Sequence, residues 1–253
     1  RSCISYFRFM KRIVSLFILL VIVSCSKKAD LTATQILDKA IEVSGKEKLS
    51  KSTIQFTSGG IKYKSMRDEN EYRYEMISER DTTTYIAAVF NGGFEYTANG
   101  KPFEYTGIHT QVERQILTMN GFMEIPAIFK GDNSIALTKK PTVHIDNIPY
   151  HLIEVNYESL MPTDLVETYY LYINQDNFVI DYIGYALTNS NGYLFFQEAF
   201  NERMVDGILF HDYRGYRTKT PTHLDSLPSL FRQNDLKIQK GNLFEDISIE
   251  YNK

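Results

Sequence analysis

The sequence has no tryptophan and only two cysteines in 253 residues. Cys3 lies upstream of the leader described below, so Cys25 alone counts for the mature chain, and the fold is expected to hold by packing without a disulfide. No apolar run reaches the ~20 residues that a membrane-spanning helix requires. Catalytic signatures are equally scarce. There is no Gly-x-Ser-x-Gly elbow, no glycine-rich phosphate loop and no His-Glu-x-x-His helix. The histidines at 109, 144, 151, 211 and 223 lack metal-ligand spacing; His144 and His151, which a hairpin around Asp146–Pro149 would bring closer, read as surface histidines. Neither a metal nor any other cofactor is expected. Hints of acid and base chemistry are confined to His211-Asp212 and to Asp164 with Glu167, and neighbours on a regular strand point to opposite faces, so no dyad is expected at 211–212.

What is present begins with a leader. Met10-Lys11-Arg12 precedes Ile13–Val23, apolar except for Ser15, and the run ends at Ser24-Cys25. Two cations followed by a short apolar core read as a secretory signal. Ile22-Val23-Ser24-Cys25 resembles the lipobox of bacterial lipoproteins, which implies that Cys25 becomes a diacylated N-terminus anchored on a membrane. Arg1–Phe9 reads as translation from an early start codon. Residues 1–24 are then removed, residues 25–31 form a lipidated tether, and 32–253 form a single domain. Losing Arg1, Arg8, Lys11 and Arg12 leaves 24 of the 28 basic side chains against 31 acidic ones, a net charge of −7, and nucleic acid is excluded as a partner. Lys27-Lys28 stands where surface-exported lipoproteins carry acidic residues, so the periplasmic face of the outer membrane is the expected location.

The body of the chain is mostly β. Thr32-Ala-Thr-Gln35 fits a capping box, Ile36, Leu37, Ala40, Ile41 and Ser44 share one helical face, and Gly45 supplies a stop, which predicts a helix over 34–44. From Thr53 the period becomes two: Ile54 and Phe56, Ile61 and Tyr63, then Tyr72, Tyr74 and Met76 alternate with polar residues. Turn signals recur at Ser58-Gly59-Gly60, Asn91-Gly92-Gly93, Asn99-Gly100, Asn191-Gly192, Asp206-Gly207 and Gly241-Asn242. A second capping box, Thr110-Gln-Val-Glu113, opens a helix expected to stop at Asn120-Gly121. Pro126 begins another short helix, and a third opens near Asp225 or Ser226. Strands return at 143–145, 150–157, 167–173, 178–187, 192–200, 208–216 and 247–251. The expected class is α+β, mostly β: one curved antiparallel sheet over residues 53–107 and 142–251, packed on the N-terminal helix and interrupted by a central helical insertion.

This order, together with the hairpin Tyr169-Tyr-Leu-Tyr-Ile-Asn174 through Val179-Ile-Asp-Tyr182, resembles uncharacterised Bacteroidota envelope lipoproteins and, in layout, the half-barrel of the LolA/LolB-like periplasmic lipoprotein carriers. The resemblance implies a concave sheet with helices over its mouth that binds acyl chains. It carries no functional residue across.

Phe122, Met123, Ile125, Ile128 and Phe129 are too apolar to face water together. They are expected to cover the inner face of the sheet, as permanent core or as a movable lid lining a ligand, with Leu160 and Met161 on the opposite rim. The 18 tyrosines and 16 phenylalanines fill half-buried sheet faces; with no Trp, a glycan-binding module is the weaker rival. Three functions stay open: a membrane-anchored protein binding an acyl chain, lipid or lipoprotein; a structural or interaction lipoprotein; and a hydrolase, the last not expected.

Overall fold

The computed structural model describes residues 30–104, 107, 109–131, 134–157, 166–188 and 190–252. Cys25, Leu160, Met161 and Asp164 lie outside them. The chain opens with α1 (Ala33–Ser44), whose Ile36, Leu37, Ala40 and Ile41 are buried. Gly45 ends it at φ 64°, in contact so close that a Cβ would stand 2.2 Å from the Gly207 carbonyl oxygen, so only glycine fits. A 3-10 turn, Lys46–Ser50, leads into the first strand.

Among the described residues fourteen strands follow, in two seven-stranded antiparallel sheets. The first holds β1 (Lys51–Ser58), β2 (Ile61–Asp68), β3 (Glu71–Arg80), β4 (Thr83–Phe90), β5 (Gly93–Ala98) and β6 (Lys101–Pro102), with the last strand, β14 (Glu245–Tyr251), beside β1. The second runs β7 (Ile135–Ile145), β8 (Ile148–Tyr157), β9 (Val166–Asn174), β10 (Ile180–Leu187), β11 (Leu194–Val205), β12 (Ile208–Thr218) and β13 (Leu236–Asn242). Helices interrupt the strands at α2 (His109–Glu124), between β6 and β7, and at the short α3 (Leu227–Arg232), between β12 and β13.

The single sheet expected from the sequence is thus two. The ladder breaks between β13 and β14, where the chain leaves one sheet at Asn242 and enters the other at Glu245. Phe244 turns the corner with its ring 5.5 Å from Phe56 and 6.4 Å from Tyr213. Its amide donates to Asp212 at 2.9 Å, and its carbonyl accepts from Arg203, so both backbone groups are satisfied off the ladder. Gly241-Asn242 is not the turn that its composition suggests: Gly241 lies within β13, where a Cβ would stand 1.9 Å from the Tyr213 carbonyl oxygen. Two further differences are local. β7 begins eight residues before the expected Val143, since the polar Thr138-Lys139-Lys140 hides its alternation. α2 also runs past Asn120-Gly121, because the Asn120 amide turns back to donate to the Ile116 carbonyl at 2.8 Å instead of capping the end.

Side-chain alternation gives each sheet an inner face. On the first, Tyr74, Ala87 and Val89 pack with Ile116 of α2, while the opposite face carries the Arg73–Glu75 and Arg73–Glu95 ion pairs. The second sheet is apolar on both sides. Ile153, Val155, Leu171 and Ile183 are fully buried on one, and Tyr150, Leu152, Tyr172 and Phe196 form an aromatic-rich cluster with Leu227 of α3 on the other.

Candidate functional site: the helical insertion on the inner faces

α2 touches both sheets. Val112, Ile116 and Leu117 lie on the first. One turn later the Phe122 ring stands 5.8 Å from Tyr185 and 5.6 Å from Tyr213, on the inner face of the second. The chain then turns through Ile125-Pro126, joined by a cis peptide bond, into a 3-10 turn (Ala127–Phe129) that sets Phe129 5.2 Å from Tyr169.

Of the residues expected to line a ligand, Phe122, Met123, Ile125 and Phe129 are buried and Ile128 is half-buried. The structure brings these five together on one turn of chain over the inner faces. Beside Ile125 and Pro126 the remaining void is about 10 Å³, room for about one water molecule. The inner space at this point is occupied by the protein's own side chains.

Three charges inside this apolar layer escaped sequence reasoning. Lys46 is 4% exposed, and its Nζ donates to the carbonyl oxygens of Met123 at 2.8 Å and Ile125 at 2.6 Å. These oxygens lie at the C-terminal end of α2, where helical carbonyls have no partner in the chain and the dipole favours a cation. Glu124, 1% exposed, pairs with Arg67 of β2 and accepts from Ser65 at 3.3 Å; Arg67 also donates to the Tyr74 hydroxyl at 3.2 Å. Burial draws the Lys46 ammonium down to about 7, against the opposing pull of Glu124. Burial, then the Glu124 charge, pushes the Tyr74 phenol up. One signal was available: Glu124 is the lone charge in an otherwise apolar stretch, and a buried carboxylate requires a cation.

The acid–base grouping at 211–212 divides as strand geometry requires. Asp212 holds Arg203 at 3.0 Å and the Asn201 amide at 2.6 Å, whereas His211 meets Glu202 at 3.2 Å. Among the described residues no cluster of His, Cys, Asp or Glu has the geometry to hold a metal ion. His151 stacks on Phe178 with centroids 5.8 Å apart.

The family model described as "Family of unknown function (DUF6503)" matches residues 11–246. The chain belongs to DUF6503. No curated protein matches this DUF6503 chain. Among solved structures it is similar to a LolA superfamily protein of Nitrosomonas europaea, with 11% identity and a TM-score of 0.45 over 88% of this chain and 95% of that one. It is also similar to a DUF1329 family protein of Desulfovibrio piger, with 12% identity and a TM-score of 0.44 over 88% and 94%. A third is described as an outer membrane lipoprotein-sorting protein domain of Vibrio parahaemolyticus, with 7% identity and a TM-score of 0.47 over 86% and 93%. Likeness at this level says nothing about the ligand or activity of the DUF6503 chain.

Proposed function

We propose that this protein is a lipid-anchored binding protein of the cell envelope that takes an apolar ligand, such as an acyl chain, in the place held by the end of α2. The observation that carries the reading is the placement of Phe122, Met123 and Phe129. One connecting segment supplies them: Phe122 and Phe129 cover aromatic side chains of the second sheet without belonging to its ladder, and Met123 is buried beside Phe122. Moving that segment uncovers the rings of Tyr169, Tyr185 and Tyr213 while both sheets keep their hydrogen bonds. The leader and Cys25 support the envelope location and the anchor, with the periplasmic face of the outer membrane following from Lys27-Lys28.

The test is titration of the delipidated protein with a fluorescent fatty acid, alongside amide hydrogen exchange. Saturable uptake is expected, with exchange changing across 109–129 and staying constant in β8–β12. A second reading, a structural or interaction lipoprotein with no small ligand, draws on the filled interior: Met123 is 1% and Phe129 3% exposed. Absence of uptake, with 109–129 as protected as the sheets, would establish that reading instead.

A further inference from the structure

On the side of the second sheet away from α2 lies a cleft of about 360 Å³ between β7 and α3. It exists because β7 is irregular. The register against β8 shifts between Lys140 and Val143, so Pro141 and Thr142 leave the ladder, and proline has no amide hydrogen to lose there. The Gln175 amide donates to the Thr142 hydroxyl at 3.0 Å and holds the lifted segment. Val143, Leu152, the ring of Tyr172 and Pro228 of α3 give the cleft apolar walls.

Its polar groups are not balanced. The Lys140 ammonium is engaged by Glu154 at 3.0 Å. Asp225 is held at the rim by a hydrogen bond from Tyr170 at 3.0 Å and meets no cation among the described residues. Lys140, Glu154 and Asp225 together leave one negative charge. Tyr172, fully buried in the floor, has a hydroxyl with no hydrogen-bond partner among the described residues, an arrangement that costs free energy until a polar group arrives.

We propose that this cleft binds a small organic cation, a primary amine on an apolar body of about the size of a phenyl ring with a short chain. The body lies against Val143, Leu152 and Pro228. The ammonium donates to the Asp225 carboxylate, and the Tyr172 hydroxyl, buried in the floor, turns toward it to gain the polar neighbour that it lacks. A carboxylate ligand would meet the unpaired Asp225 charge, and a neutral alcohol would leave that charge uncompensated. The site does not depend on the reading given for α2, which lies over the other face of the sheet.

The experiment is titration of the protein, by calorimetry and by NMR of labelled tyrosine rings, with phenethylamine, phenylacetate and phenethyl alcohol. Saturable binding of the amine is expected, with the tyrosine rings of this cleft shifting, and with the acid and alcohol at least about tenfold weaker. Asp225→Asn should weaken the amine about tenfold without changing the melting temperature, since Asp225 is exposed; Tyr172→Phe should weaken it by a smaller factor. Equal binding of the three probes, unchanged amine affinity in Asp225→Asn, or no saturable binding at millimolar amine would each overturn the proposal. Fatty-acid titration reports the α2 site separately, so the two fail independently.

Discussion

Lys46 donates to the carbonyl oxygen of Ile125 at 2.6 Å, joining residues 79 positions apart in the chain. With its second bond, to Met123, it fastens the end of α2 to the turn that follows α1. A strand-dominated fold thus holds its inserted helix through a buried cation on helical carbonyls.

That fastening has a pH dependence with a definite sign. Lys46 titrates at about 7 in the folded chain and at 10.5 when unfolded. Below about pH 7 both states carry the proton, and the folded state bears the whole cost of a buried charge. Between about 7 and 10.5 the unfolded chain holds a proton that the folded chain has released, so stability rises with pH by up to about 5 kcal/mol. Tyrosines oppose this higher up: burial pushes Tyr185 up to about 12, and its contribution is lost as pH rises from its unfolded value, about 10, through 12. Urea melts are expected to show maximum stability near pH 10, and Lys46→Met should remove the rise between 7 and 10.

The Glu124–Arg67 pair should be costly to halve and cheaper to remove whole. Arg67→Met leaves Glu124 buried beside Ser65 without its cation and is expected to cost about 3 to 5 kcal/mol. Arg67→Met with Glu124→Leu should cost clearly less than the two single changes added together, as a double-mutant cycle in urea would measure.

Leu37 is 3% exposed on the buried face of α1. Leu37→Ala is expected to lose about 2 to 5 kcal/mol, seen as a lower urea midpoint with an unchanged slope. The apolar face of α1 lies against β7, β8 and β12 of the second sheet, and a loss under 1 kcal/mol would contradict that packing.

Met123→Glu places a carboxylate at a site 1% exposed, where Lys46 already has two carbonyl partners. A loss of several kcal/mol is expected, or displacement of the segment 122–129 with the sheets intact. Amide exchange separates the two: global exposure marks core, and exposure confined to 109–129 marks a lid.

For the anchor, Cys25→Ala should abolish incorporation of labelled fatty acid and move the protein out of the membrane fraction. A mutant that stays membrane-bound, beside a wild type that takes up no label, would refute lipidation.

By itself the sequence determined the elements whose cause is local. The apolar stripe of α1 and its glycine stop, the alternation of β1–β5 and most of the turns depend on spacing and backbone preference within a few residues, and they lie where that spacing puts them. The apolar character of 122–129 was equally visible. Tertiary structure alone decided the rest. The ladder is split at Phe244 because Asp212 and Arg203, 32 and 41 residues away, satisfy a backbone that would otherwise pair. Nothing in the residues next to Lys46 and Arg67 marks them as partners of the insertion; the fold sets Met123 and Ile125 against Lys46 and Glu124 against Arg67, and it leaves Asp225 to the Tyr170 hydroxyl while Glu154 takes Lys140. Burial, partner choice and the resulting shift of a lysine's proton depend on which distant residues meet, and period and composition contain no record of that.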